Sequence, residues 1–430
     1  MMLLYDKILA SINSLKIVDT HEHLPEESKR PQDTDVLSEW LRHYFSSDIV
    51  SAGLPNEILE LIRNGNIDIQ KRWRMVEPYW RAAENTGYGR ALSIAARDIY
   101  GIKNINSSTI VELNNRFTEA RQKGNHYDFI LKKKSRILLF IRDSLPENCK
   151  EKSDLFVHSM RIDRFVFPES YSQIKEIASK IKLEVYSLAD WMNVTQKYIE
   201  RFLNENSRVV CLKCGLAYQR NLNFCRVKRS LAEKSFNSFI KKKALSQEAK
   251  LLHQKNLSDW MMNFICSLAH EKKLVIQIHT GIQEGNGNIL SNSNPLLMSE
   301  LFINYPNVIF DLFHMGYPYV METGALAKMF KNVFIDMCWA HIISPEAAKR
   351  ALIEWLDTVP ANKISAFGGD YCFIDGVYGH QYIARENVAK ALATKVIDKS
   401  ISLKRAEELA KWLFVKNPVR LFSLKKFLEN

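Results

Sequence analysis

Short apolar runs alternate with longer amphipathic stretches along most of the chain, and this alternation is regular from residue 135 onward. Continuously apolar strands that alternate with helices are typical of a parallel sheet covered by helices. Eight strand–helix units over a chain of this length predict an α/β fold of the (β/α)8 TIM barrel class. The predicted strands are 17–23, 136–142, 156–167, 208–213, 274–279, 308–314, 333–339 and 363–370.

The stretch after the first strand has no strand character and predicts helices at 35–45, 55–64, 68–85 and 108–123. We expect the third of these to end at Gly87, because glycine often follows the last residue of a helix. Residues 24–134 are therefore interpreted as a helical insertion large enough to cap a site. The predicted division is an N-terminal helix with strand 1 at 1–23, the insertion at 24–134 and the rest of the barrel at 135–430.

Helical periodicity also appears between and after the later strands. Ser344 as N-cap and Pro345 at the first helical position mark the start of one of these helices. The others are predicted at 171–181, 190–205, 231–271, 384–397 and 403–415.

Composition narrows the class of protein. Of 430 residues, 46% are hydrophobic and 25% charged, as in ordinary globular proteins. The net charge is +12, but the basic runs at 132–134, 226–229 and 241–243 lack interleaved aromatic residues, so we interpret them as solvated helix faces and expect no nucleic-acid partner. No apolar run reaches the roughly 18 residues of a membrane span, so we expect no membrane partner.

The seven cysteines and the absence of a secretory signal before the fold favour a reduced, cytoplasmic compartment. Cys211 and Cys214 are spaced as Cys-x-x-Cys, but no second pair stands at zinc-ribbon spacing. We interpret these two residues as small buried side chains of a strand.

The first strand ends in a His-x-His pair, His21 and His23. Side chains two apart in a strand point to the same face, so the two imidazoles should converge, with Asp19 on the same face one step deeper. Two convergent imidazoles form half of a metal site. The alternative is a pair of surface histidines at a strand end.

Metal-competent residues recur at the C-terminal ends of five of the eight predicted strands. In a (β/α)8 barrel these ends open on one face, where active sites lie. A shared metal site is therefore predicted from His21, His23, Lys213, His279, His314 and Asp370.

This set resembles the amidohydrolase superfamily over essentially the whole chain. The resemblance is closest in look to the uronate-isomerase-like and related uncharacterised amidohydrolases. It rests on the segment Asp19–Pro25 (Asp-Thr-His-Glu-His-Leu-Pro), the helical insertion that follows it, and the segment Lys416–Phe422 (Lys-Asn-Pro-Val-Arg-Leu-Phe).

The resemblance implies roles for the site residues. His21 and His23 would bind the more buried metal, and Asp370 would bind the same metal and act as the catalytic base. His279 would be a further ligand. His314 would be either a ligand of a second metal or a hydrogen-bond donor to substrate or water.

Lys213 matches the lysine that some members of the superfamily carboxylate on its amine. The alternative is an unmodified lysine that pairs with Asp370 or with a substrate carboxylate. The implied cofactor is one or two divalent ions, with Zn favoured by the nitrogen ligands and Mn, Fe or Ni remaining open.

Several residues near the predicted strand ends are candidates for substrate binding. Arg161 shares a strand with Asp163, and Tyr218 and Arg220 follow Lys213. Arginine binds carboxylates in a bidentate manner, so Arg161 or Arg220 would suit an acidic substrate, although Arg161 and Asp163 could equally pair with each other. A last candidate is Trp339, which would be either an aromatic wall of the site or a packing residue.

These features predict a metal-dependent hydrolase that attacks a C–N or ester bond of a small polar, carboxylate-bearing substrate. The alternative is a uronate-isomerase-like aldose–ketose isomerase or a decarboxylase. Uronate isomerases as a group generally lack the strand-four lysine, so Lys213 favours hydrolysis. A binding protein on a degenerate barrel is a third hypothesis, and a homo-oligomer stays open.

Overall fold

A computed structural model describes residues 2–31, 33–144, 154–240 and 246–428 of the chain. Its eight strands form one parallel sheet in sequential order, as the alternating pattern predicted. Backbone hydrogen bonds from Thr20 N to Phe367 O (3.1 Å) and from Asp370 N to His21 O (2.8 Å) join the first strand to the segment after the eighth. The (β/α)8 barrel is thereby confirmed. The strands are β1 Ile17–Glu22, β2 Ile137–Ser144, β3 Phe156–Arg161, β4 Val209–Cys214, β5 Val275–Ile278, β6 Phe310–Leu312, β7 Val333–Asp336 and β8 Ile364–Ser365.

Helices cover the barrel and fill the segment between β1 and β2. The helix before β1 is α1 Met2–Ser14. Between β1 and β2 lie α2 Val36–Trp40, α3 Phe45–Ser51, α4 Asn56–Arg63, α5 Ile69–Ala83, α6 Gly87–Tyr100 and α7 Ile110–Gln122. The later helices are α8 Asp163–Val166, α9 Tyr171–Ser179, α10 Leu188–Glu205, α11 Arg229–Ile240, α12 Gln247–Lys272, α13 Ser299–Asn304, α14 Val320–Met329, α15 Ala340–Ile343, α16 Pro345–Thr358, α17 Ile374–Ile397, α18 Leu403–Lys411 and α19 Asn417–Leu421.

The observed helix boundaries can be compared with two of the predicted helices. The side chain of Ser344 accepts a hydrogen bond from Ala347 N, so the predicted start of α16 is confirmed. The predicted helix 231–271 corresponds to α11 and α12. Residues 241–245, which include the basic run 241–243, lie outside the described residues.

The expectation that Gly87 ends a helix is wrong. Gly87 is the first residue of α6, and the Thr86 side chain before it accepts a hydrogen bond from Gly89 N. A Cβ at Gly87 would lie 2.1 Å from Ile342 O, so glycine is needed here for the close approach of α6 to α15.

The placement of Asp163 on strand three is also wrong, because β3 ends at Arg161 and Asp163 begins the short helix α8. Asp19 does not follow the predicted alternation either. The pairing of β1 with β2 is irregular between Asp19 and Glu22. Asp19 Oδ1 instead accepts hydrogen bonds from His21 N (3.1 Å) and Gly369 N (3.0 Å), so this carboxyl is held against backbone.

Two apolar clusters hold the architecture together. The smaller one fills the barrel interior and is covered by residues near α19, among them Leu421 and Phe422. The larger one joins the outer faces of the strands to the helices and includes Trp40, Trp73 and Trp80 of the insertion. The insertion therefore packs on the barrel through a continuous core. No described helix combines enough length with enough apolar character to cross a lipid bilayer.

Candidate metal centre

Three of the predicted ligands meet where β1 ends and where the chain leaves β8. The Nε2 atoms of His23 and His21 lie 3.1 Å and 3.4 Å from Asp370 Oδ1. Two ligand atoms that each lie 2.0–2.1 Å from a tetrahedral Zn ion are separated by about 3.3 Å. The separations therefore fit donors that could share one cation.

The second carboxylate oxygen of Asp370 faces another pair of imidazoles. Asp370 Oδ2 lies 3.8 Å from His314 Nε2, which in turn lies 3.0 Å from His279 Nδ1. The carboxylate thus stands between the pair from β1 and the pair that follows β5 and β6.

The outer nitrogens of this second pair are both occupied by backbone carbonyls. His314 Nδ1 lies 3.0 Å from Cys338 O, and His279 Nε2 lies 2.9 Å from Ile282 O. A neutral imidazole carries one N–H group. Each ring therefore donates this N–H to its carbonyl, and the lone pairs of His314 Nε2 and His279 Nδ1 face each other. Burial lowers the pKa of His314 to about 4 and that of His279 well below its usual value, so an additional proton is not held at neutral pH. A cation between the lone pairs satisfies both, and the donor set fits a divalent metal.

The negative charge of the Asp370 carboxylate also suits the binding of a divalent metal. Burial opposes ionisation, but the hydrogen bond from His23 and the neighbouring His21 and His314 outweigh it, so the pKa of Asp370 lies well below its ordinary value. The side chain is a carboxylate at neutral pH. It is therefore able to bind a cation and to accept a proton.

Lys213 lies at the end of β4 with its side chain buried against Phe313, whose ring centroid is 3.8 Å from Nζ. Burial lowers the pKa of this amine, and the nearby Asp143 and Asp370 offset the effect only in part. A lower pKa raises the fraction of neutral amine, which is the form that reacts with carbon dioxide. Carboxylation of Lys213 stays a prediction.

Sequence reasoning missed Asp143. Its Oδ2 lies 4.0 Å from His23 Nδ1, and it forms with His21 and His23 a group of ligand atoms within 4.8 Å of one another. The predicted second strand ended at Arg142, one residue short of it. An acidic residue at a strand end was the signal that would have found it.

Arg161 reaches the centre through Asp143. Its Nη2 lies 2.5 Å from Asp143 Oδ2, and its Nε lies 3.8 Å from Asp163 Oδ2. Asp163 is fixed in turn by a 2.8 Å hydrogen bond from Gly215 N. Arg161 therefore pairs with Asp163, as the alternative interpretation expected, but its nearer partner is Asp143. Its side chain is still 39% exposed at the edge of the centre.

Tyr218 and Arg220, the two candidates that follow Lys213, lie in different surroundings: only Tyr218 contacts the metal centre. The Tyr218 ring lies 4.8 Å from that of His279, and its hydroxyl accepts a 2.9 Å hydrogen bond from Glu284 N. Arg220 forms a 2.8 Å ion pair with the buried Asp259 of α12 and lies over the Phe224 ring. Among the described residues, none of the contacts found for Arg220 involves the metal centre.

Trp339 forms a buried wall rather than an exposed one. Its ring stacks on Tyr44 at 4.4 Å and lies 5.1 Å from the ring of His314. Tyr44 stands directly before α3, so the insertion reaches the centre here. Tyr44 was not selected as a site residue from the sequence. The adjacent His43 packs on Tyr44 and Tyr371.

A cavity of about 240 Å³ opens beside His23 and Asp143. Its volume suits a small substrate. The two lining residues that belong to the centre, His23 and Asp143, are polar. The lining residues are His23, Leu24, Pro25, Glu26, Lys29, Arg142 and Asp143.

Part of the chain matches a family model. Residues 250–424 match the family model described as amidohydrolase, and the matched segment carries His279, His314 and Asp370. The protein fluG of Emericella nidulans is 27% identical over 225 residues, which are 50% of this chain and 26% of that protein. The chain thus spans about a quarter of the length of this relative.

Solved structures share the fold over nearly the whole chain. The match to uronate isomerase of Thermotoga maritima has a TM-score of 0.80 at 15% sequence identity. It covers 98% of this chain and 97% of the isomerase chain. Glucuronate isomerase of Caulobacter crescentus has a TM-score of 0.78 at 18% identity, with 98% and 94% covered. A Lactobacillus casei protein assigned as a metal-dependent hydrolase has a TM-score of 0.68 at 15% identity, with 98% of each chain covered. At these identities the likeness establishes the fold.

Proposed function

We propose that this chain, which matches the amidohydrolase family over residues 250–424 and has the uronate-isomerase-like fold, is a divalent-metal-dependent hydrolase. Its substrate is a small polar molecule with a carboxylate, and the bond cleaved is a C–N or ester bond. The observation that carries the proposal is the Asp370 carboxylate, whose two oxygens face His21 and His23 on one side and His314 on the other. Zn is the favoured metal because most donors are imidazole nitrogens.

A divalent cation in this centre would lower the pKa of its water ligand towards about 7 and polarise the scissile carbonyl of the substrate. Asp370 then accepts the proton of the attacking water, because it is ionised at neutral pH. The carbonyls of Cys338 and Ile282 hold the rings of His314 and His279 in one tautomer and one orientation.

Arg161 orients the substrate in this proposal. Its guanidinium is anchored on Asp143 and remains partly exposed, so it is available to a substrate carboxylate at the edge of the centre. The Tyr218 hydroxyl and the small cavity beside His23 would limit the size of the group that lies there. The partner is thus a small molecule rather than nucleic acid or a membrane.

Lys213 supports hydrolysis over isomerisation. A carboxylated Lys213 would be an anion with two oxygens and would bridge two cations, as in hydrolytic members of the resembling superfamily. Its burial beside the centre and its lowered pKa favour the modification.

The second candidate is aldose–ketose isomerisation of a uronic acid, or decarboxylation on the same scaffold. It is favoured by the two isomerase structures, which match this chain over 98% of its length. In that reaction Asp370 would move a proton between adjacent substrate carbons instead of activating water.

The two functions are separated by a substrate screen on the Zn-loaded chain. N-acyl amino acids, dipeptides and lactones report hydrolysis, and uronic acids report isomerisation, with Asp370→Asn as the control for contaminating activity. Turnover of a C–N or ester substrate that is lost in Asp370→Asn supports the proposal. Turnover of a uronic acid alone contradicts it in favour of the alternative.

A cytoplasmic location is part of the proposal. Six cysteines in the described part of the chain are free thiols, which suits a reducing compartment.

A further inference from the structure

A buried thiol lies in the centre beside His314 and Asp370. The Cys338 Sγ, a ring nitrogen of His314 and a carboxylate oxygen of Asp370 all lie within 4.8 Å of one another. Cys338 follows β7 by two positions and is fully buried. The proposed hydrolytic mechanism does not use this thiol.

The backbone of Cys338 is held on both sides. Its N–H donates to Asp336 Oδ1 at 2.7 Å, and its carbonyl faces His314 Nδ1 at 3.0 Å. The position of the thiol is therefore tied to that of the His314 ring.

The space that the thiol occupies depends on the glycine at 368. A Cβ at Gly368 would lie 2.9 Å from Cys338 Sγ and 2.7 Å from Thr20 Oγ1. Because Gly368 has no side chain, the sulfur atom fits at the rim of the centre without displacing either neighbour.

We propose that Cys338 Sγ is a direct ligand of a cation held by the His314 imidazole and the Asp370 carboxylate. This inference rests on the proposed metal dependence and adds a sulfur donor to the nitrogen and oxygen donors of that half of the centre. When the sulfur–metal bond forms, the S–H bond breaks and its proton passes to solvent. One nitrogen, one oxygen and one sulfur would leave the fourth position of a tetrahedral Zn ion for water or substrate, as in catalytic Zn sites.

A thiolate ligand changes which ions the centre prefers. Thiolate is a soft donor, so Zn, Co and Cd are favoured over Mn and Mg, which prefer oxygen ligands. The inference thus specifies the metal class of a centre whose nitrogen ligands alone leave Mn, Fe and Ni open.

Cobalt substitution tests this directly. The metal-free full-length protein is titrated with Co²⁺ while absorbance is recorded at the thiolate-to-cobalt charge-transfer band in the near ultraviolet, and bound cobalt is counted by elemental analysis. We expect the wild type to develop the band and Cys338→Ser to lose it while still binding cobalt through His21 and His23. Cys211→Ser is the matched control, because Cys211 is also a buried thiol but stands on β4, with its Sγ 3.4 Å from Gln277 Oε1.

The outcomes separate the inference from the function on which it rests. Cobalt bound without the band, or a band that survives in Cys338→Ser, overturns the thiolate ligand and leaves the metal-dependent function standing. Failure of the wild type to bind cobalt at all overturns both. If Cys338→Ser does not fold, X-ray absorption of the Zn-loaded wild type decides: a sulfur at about 2.3 Å supports the inference, and nitrogen and oxygen scatterers alone overturn it.

Discussion

The Tyr44 hydroxyl donates a 2.7 Å hydrogen bond to the backbone carbonyl of Asp370. Tyr44 belongs to the insertion and Asp370 to the barrel, so the proposed base is held in place by a segment inserted more than 300 positions earlier. Asp370 has a backbone φ of 58°, a conformation that non-glycine residues adopt only when their surroundings enforce it. The insertion therefore contacts the backbone of the proposed base as well as the Trp339 side of the centre.

Removal of this hydroxyl tests the relationship. Tyr44→Phe keeps the ring that stacks on Trp339 and removes one buried hydrogen bond, which is worth about 1 kcal/mol. We expect kcat to fall about fivefold, with a small loss of thermal stability. Tyr100→Phe is the control, because its hydroxyl is also buried but bonds to Asp375, away from the centre. Equal effects of both variants on kcat would refute the positioning role.

Asp370→Asn tests the base itself. The amide is isosteric but neither accepts a proton nor carries charge, so we expect kcat to fall by about 10²- to 10⁴-fold. The melting temperature should change little, which circular dichroism will check. A variant with wild-type kcat would exclude Asp370 as the proton acceptor.

The two arginines should respond differently to a conservative substitution. Arg161→Lys loses bidentate contacts at the edge of the centre, so KM for a carboxylate substrate should rise about 10- to 100-fold. Arg220→Lys should lower the urea midpoint because its buried partner Asp259 is held less well, with KM unchanged. A rise in KM for Arg220→Lys alone would reverse this assignment.

Lys213→Ala tests carboxylation. If the modified lysine bridges two ions, the variant should bind one ion fewer per chain than the wild type when both are loaded in bicarbonate. Intact mass under non-denaturing conditions should show the added carbon dioxide in the wild type only. An unchanged stoichiometry would assign Lys213 a role in substrate binding or structure.

Asp375 gives a pH dependence of stability that is independent of the metal. Burial raises the pKa of this carboxyl to about 6, despite hydrogen bonds from Trp40 and Tyr100. Between the unfolded pKa near 4 and the folded pKa near 6 the native state binds more protons, so wild-type stability falls as pH rises through this window.

The matched variant isolates this contribution. Asp375→Asn stays neutral, so its stability relative to wild type should rise between pH 4 and pH 6.5, by about 3 kcal/mol at most. Urea unfolding at the two pH values measures the difference. A constant difference would show that Asp375 ionises normally in the fold.

The sequence predicted the barrel and its strand-end residues because both follow from local periodicity. The same local logic failed where tertiary contacts decide. Glycine often follows the end of a helix, but Gly87 is the first residue of α6, where the close approach of Ile342 O leaves no space for a side chain. Asp143 was missed by one residue at the end of β2, and Tyr44 contacts Asp370 only through the docking of the insertion. Where the pairing of β1 with β2 is irregular, the Asp19 carboxyl group accepts hydrogen bonds from the backbone N–H groups of His21 and Gly369. The alternation of side chains in a strand does not predict these contacts.

In the proposed function, a divalent cation is held by His21, His23, His279, His314 and Asp370. Elemental analysis of protein purified without chelator, then incubated with Zn and dialysed, tests it most directly. We expect one or two ions per chain in the wild type and at least one ion fewer in a His21→Ala, His23→Ala double variant that remains folded. A wild-type protein that retains no metal after this treatment would contradict the account.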